Sequence, residues 1–118
     1  MNADKRIDGW LNDLDRLLDQ TESLVKRGRA SYDTDPALPL AFEALCNRVG
    51  DLAKKLTAAD AVTFVDTRWS QAARTRDFVV HQYHRVDSDV LWETVHTSIP
   101  KLRPLIAEIR RRRRGAVS

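Results

Sequence analysis

Apolar residues in this chain recur at steps of three and four, and no stretch alternates with period two for long enough to make a half-buried strand. That periodicity confines the chain to helices. Between residues 4 and 27, Ile7, Trp10, Leu11, Leu14, Leu17, Leu18, Leu24 and Val25 trace one narrow stripe, as in a bundle or a coiled-coil seam. Gly28, just after Lys26 and Arg27, stops that helix. Ser31 to Pro39 holds two prolines and several capping side chains and is predicted to be a loop. A second helix over 38–57 carries Leu38, Phe42, Leu45, Cys46, Val49, Leu52, Ala53 and Leu56, with Gly50 inside it where another backbone is expected to come close. Residues 60–66 form a short link to a third helix that opens near Trp69. Val86-Asp87-Ser88-Asp89 ends that helix and caps the next. Val90, Leu91, Val95, Ile99, Leu102, Leu105, Ile106 and Ile109 imply a last helical region, which Pro100 and Pro104 divide into 88–97 and 99–112. The expected fold is all-α, an antiparallel bundle of four to five helices.

Charge is informative through its placement. The net charge is +3, yet Arg110 to Arg114 supply five positive charges, so the rest of the chain carries −2. The expected organisation is one helical domain over 1–109 and a basic tail over 110–118. The tail either closes a helix C-terminus in solvent or holds polyanions, RNA included, without sequence preference. With 118 residues the domain has one core and is marginal unless it associates. The single cysteine, Cys46, excludes an intrachain disulfide and sits at an apolar helix position. No apolar run is long enough to span a bilayer and the N-terminal MNADKRID lacks a signal core, so a cytoplasmic protein is expected.

The chemistry-bearing stretch is Trp69 to Tyr83, WSQAARTRDFVVHQY. At roughly 100° per residue, Trp69, Ala72, Ala73, Val79, Val80 and Tyr83 gather on one face, with Arg76 in its middle. A guanidinium there stays charged and needs an anion or several acceptors to meet it. Asp77 and His81, four apart, and His84 form a polar flank. Each has a plain alternative: Arg76 in an ion pair with Asp51 or Asp87, His81 at a surface or interface, and Tyr83 as a packing ring. His81, His84 and His96 are the only histidines, and no His or Cys pair has zinc spacing, so no metal site is expected. Trp10, Trp69 and Trp92 are read as core or interface contacts.

The Arg-x4-His-x-Tyr arrangement of Arg76, His81 and Tyr83 resembles the signature of HEPN-superfamily ribonuclease toxins, specifically the HepT-like proteins that pair with a minimal nucleotidyltransferase antitoxin of the MntA type. Trp69 ahead of the arginine, Val86-Asp87 after the motif, Leu91-Trp92, Ile99-Pro100-Lys101-Leu102 and Val49-Gly50-Asp51-Leu52-Ala53 are similar to that family as well, so the likeness spans roughly residues 5 to 110. The departures are Asp77 for the usual asparagine, Asp51 for a longer glutamate and Arg74 for glycine. An acid at position 77 favours charged His81, and Arg74 opposes that. The resemblance implies a HEPN-like homodimer, cofactor-free RNA cleavage with Arg76, Asp77 and His81 as catalytic residues, and Arg74, His84 and Arg85 along the substrate rim. It also implies control by AMP transfer onto Tyr83 from the antitoxin, with which the dimer forms a larger complex. The alternative within the same superfamily is a non-catalytic module that binds nucleotide or scaffolds a nucleotidyltransferase.

Overall fold

The computed structural model describes the backbone of residues 3–82 and 87–117 and the side chains of residues 4–75 and 87–115. Its elements are α1 (Ala3–Val25), α2 (Gly28–Thr34), α3 (Ala37–Ala59), α4 (Thr67–Gln82), α5 (Ser88–Glu93) and α6 (Leu102–Val117). A π-helical turn (Thr94–Ser98) and a 3-10 turn (Ile99–Lys101) join α5 to α6. No strand occurs among the described residues, and the all-α class expected from periodicity is what the chain adopts.

The core follows the spacing. Ile7, Leu11, Leu14, Leu17 and Leu18 of α1 are each at most 2% exposed, and all eight apolar positions read in the second helix are buried on α3. Thr21 is the one buried polar side chain among the described residues, and it donates its hydroxyl to the Leu17 carbonyl at 2.8 Å, so no donor is stranded. α3 lies at the centre, packed along α4 on one side and α1 on the other. The link over 60–66 is ordered by Asp60, whose carboxylate accepts from the Thr63 backbone at 3.1 Å and the Thr63 hydroxyl at 2.6 Å. Those bonds hold the Asp60 carboxyl below its usual range. The connection is short, so α3 and α4 form a helical hairpin.

Two local expectations are corrected. The segment read as a loop from Ser31 contains most of α2: Gly28 adopts φ +88 to turn the chain out of α1 and is the first of the seven residues of α2. Tyr32 drives it, being 1% exposed and donating its hydroxyl to the Ser88 carbonyl at 2.8 Å. The second concerns the bounds of the division at Pro100, which falls in the 3-10 turn (Ile99–Lys101) that separates α5 and its π-helical turn from α6. A proline ring clashes with the carbonyl four residues back, and here the preceding turn widens instead, with Ile99 N–H bonding the Thr94 carbonyl.

α6 runs through the arginine run to Val117. Its Leu102, Ile106 and Ile109 are buried against the core. Arg110 bonds Asp15 and Asn12, Arg113 bonds Asp8 at 2.9 Å, and Arg103 bonds Asp19 at 3.0 Å, a ladder along α1. Exposed ion pairs of this kind contribute about 0–1 kcal/mol each, whereas each buried aliphatic side chain contributes about 1.5–3 kcal/mol, so the apolar stripe docks α6 and the ladder sets its register.

Cys46 is 1% exposed, and burial, helped by the Glu43 charge, pushes its thiol up to about 12. Because only the thiolate reacts, a thiol reagent at neutral pH is expected to label native Cys46 at least about 100-fold more slowly than the chain unfolded in guanidinium. Equal labelling rates would place Cys46 outside the core.

Candidate active site

Arg76, Asp77 and His81 are carried by α4, and their neighbours along that helix explain how it is held. Asp66 accepts from the Arg68 backbone N–H at 2.9 Å through its side chain and from the Trp69 N–H at 3.0 Å through its carbonyl, which starts the helix. Trp69, 1% exposed, meets Phe64 edge to face with ring centroids 5.1 Å apart, and Ala73 one turn later is buried as well. Position 76 follows on the helical register of these residues, three after Ala73 and seven after Trp69. On the facing helix, Gly50 is buried.

Arg76, Asp77 and His81 lie on α4, but their side chains are outside the described residues, as are Tyr83, His84 and Arg85 entirely. Arg74 is on α4 and exposed. The two acids considered as ion-pair partners for Arg76 have structural roles of their own. Asp51 is half-buried and pairs with Lys55 at 3.2 Å, one turn on in the same helix. Asp87 caps α5, accepting from the backbone N–H groups of Asp89 at 2.7 Å and Val90 at 3.3 Å.

His96, away from the motif, is exposed and stacks on Trp92 with centroids 5.3 Å apart. Trp92 also meets Phe42 and Tyr32, and Arg29 lies over both Tyr32 and Trp92 while pairing with Asp33 and Asp89. Those two carboxylates raise the Arg29 pKa further above its ordinary value. Trp92 is thus a packing residue at the α2–α3–α5 junction. Among the described residues no three His, Cys, Asp or Glu side chains gather in a way that would hold a metal ion, and no described helix is long and apolar enough to cross a membrane.

An all-helical chain whose α4, packed along α3, carries Arg76 and His81 defines the class, and comparison with known proteins defines the family. The sequence pattern of the family described as "Ribonuclease HepT-like" matches residues 14–109. A protein of Caldanaerobacter subterraneus subsp. tengcongensis, whose name describes it as a candidate RNase, is 28% identical over 100 residues, covering 81% of this chain and 89% of its own length. A protein of Thermococcus cleftensis, whose name describes it as a candidate ribonuclease HepT, is 42% identical over 43 residues, covering 36% of this chain and 39% of its own length. No solved structure matches the chain significantly. The chain belongs to the HepT-like ribonuclease family.

Proposed function

We propose that this chain is the toxin of a toxin–antitoxin pair and cuts RNA without a metal ion. Membership of a ribonuclease family over residues 14–109, which include the whole Arg76–Tyr83 motif, is the observation that carries this reading. The ribose 2′-OH loses its proton to a base and its oxygen attacks the adjacent phosphorus. The bond to the 5′ oxygen breaks as that oxygen takes a proton from an acid, leaving a 2′,3′-cyclic phosphate and a 5′-OH.

Histidine titrates near neutrality and serves as acid or base. Arginine stays charged and grips phosphate oxygens bidentately as negative charge builds on them. One His81 per chain is short of an acid plus a base, and a two-fold dimer with both motifs in one cleft supplies the second. In this reading Asp77 orients His81 or Arg76, and Arg74, His84 and Arg85 line the cleft. Growth of cells expressing the chain alone, compared with the His81→Ala form, tests it. Slowed growth only with the intact chain, and cleavage of RNA by the purified protein, is the expected result. Equal growth and no cleavage would leave a non-catalytic HEPN module.

The partner in this reading is a nucleotidyltransferase antitoxin that moves AMP onto Tyr83. The added phosphate charge and nucleotide bulk would then occupy the place of the substrate phosphate beside Arg76. Co-expression with a nucleotidyltransferase encoded next to this gene is expected to add AMP-sized mass increments to the chain, and Tyr83→Phe is expected to abolish them. An intact mass that does not shift, or a shift that survives Tyr83→Phe, would refute this mode of control.

A further inference from the structure

We propose that the cleft between the first turns of α4 and the π-helical turn before α6 is a phosphate subsite for the backbone of single-stranded RNA; this inference rests on the reading of the chain as an RNA-cutting enzyme. The cleft has a volume of about 160 Å³, and its polar lining is Arg68, Gln71 and Thr75 from α4 with Thr94, Ser98 and Lys101 from the connection. None of the described residues lining it is acidic.

The donors are arranged for an acceptor-only ligand. Thr75 and Thr94 give their hydroxyl protons to the carbonyls of Gln71 at 3.0 Å and Val90 at 2.8 Å, so they have no proton to offer a ligand. What remains is the Ser98 hydroxyl, the Gln71 amide and the two cations. Lys101 is exposed and has no ion-pair partner among the described residues. Arg68 touches Asp66 only at 3.9 Å, an exposed contact that a phosphate displaces at little cost. Phosphodiester oxygens are acceptors that carry negative charge, and Arg, Lys, Ser and Gln are the side chains that hold them. The cleft is too small for a nucleotide, so it takes a phosphate while the bases stay outside, and its contribution is independent of sequence.

Placement completes the case. Thr75 directly precedes Arg76 on α4, so a phosphate in this cleft belongs to a strand that passes the motif. The arginine-rich face of α6 is largely engaged within the chain. The cleft of about 420 Å³ between α1 and α6 sets Arg103 and Arg110 against Asp15 and Asp19. Arg111 and Arg112 are bound to Glu108 at 2.6 and 3.0 Å. The arginine run, for all its charge, is less free to meet RNA than the two cations that stand far apart in sequence.

The test is the affinity of the full-length protein for a single-stranded oligonucleotide 2′-O-methylated throughout, which offers no 2′-OH for attack. The double variant Arg68→Gln, Lys101→Gln is expected to bind about tenfold more weakly at about 0.15 M salt, with the slope of log affinity against log salt reduced in magnitude by about 1.4. A control double variant, Arg16→Gln, Lys26→Gln, removes the same formal charge from exposed pairs on α1 and just beyond it, and is expected to stay within about twofold of the parent. Parent-like affinity in the cleft variant, or an equal loss in the control, would overturn the subsite. Cleavage of unmodified RNA by the parent, measured alongside, judges the ribonuclease reading separately. A parent that binds but does not cut refutes that activity while the binding comparison still decides the cleft, and a parent that binds no RNA overturns both.

Discussion

Replacing His81 with alanine is expected to slow RNA cleavage by about 10²–10⁴-fold while leaving the fold intact, the range observed when a positioned acid or base is removed. His81 is on α4, away from the Trp69–Phe64 contact that anchors the helix, so thermal unfolding is expected to change little. Arg76→Ala should fall in the same range, and Arg76→Lys should recover only part of it, because an ammonium keeps the charge but loses the two-pronged grip on phosphate. The double change His81→Ala, Arg76→Ala should cost little more than the worse single change, since groups acting on one transition state are not additive. The measurement is a single-turnover cleavage rate on end-labelled RNA with purified protein. A His81→Ala protein that cuts within a few-fold of the parent would remove the imidazole from the mechanism.

Trp69→Ala is expected to cost about 3–5 kcal/mol of stability, the usual range for truncating a buried aromatic side chain. Trp69 is 1% exposed and is among the largest fully buried side chains in the molecule. It also fixes the start of α4, so the loss should appear twice, as a lower midpoint in urea and as a fall in cleavage that Trp69→Phe partly restores. Val65→Ser offers the contrast: at 75% exposure Val65 sits in the link just before α4, and its change should stay within about 0.5 kcal/mol of the parent. A Trp69→Ala protein less than about 1 kcal/mol below the parent would mean that α4 is held mainly by other contacts.

The parts of the fold that could be read in advance were those governed by long periodic stripes. Leu38 to Leu56 on α3 and Ile7 to Leu18 on α1 are buried where three- and four-residue steps put them. The α2 helix leaves little trace in the sequence because its seven residues contain a single anchoring ring, Tyr32, whose partner Ser88 lies 56 residues away. Asp33, Asp35 and Pro36 meanwhile give the segment the chemistry of a loop. At Pro100 the local rule places the division, and the π-turn from Thr94 to Ser98 and the 3-10 turn from Ile99 to Lys101 set where each helix ends.

Arg76, His81 and Tyr83 stand out in the sequence because they are close together and of types that carry chemistry. Arg68 and Lys101 do not. They stand 33 residues apart, each unremarkable alone, and only the packing of the α5–α6 connection against α4 brings them to one cleft. The arginine run presents the reverse case: conspicuous in sequence, it is largely paired with Asp8, Asp15 and Glu108 once folded.

The most direct test of the central claim is the chemistry of the RNA ends. Purified protein, incubated with RNA in excess EDTA, is expected to leave fragments with a 2′,3′-cyclic phosphate at one end and a free 5′-OH at the other, both readable by mass spectrometry, with none from the His81→Ala protein. Fragments ending in a 3′-OH and a 5′-phosphate, or cleavage that stops when EDTA is added, would contradict it.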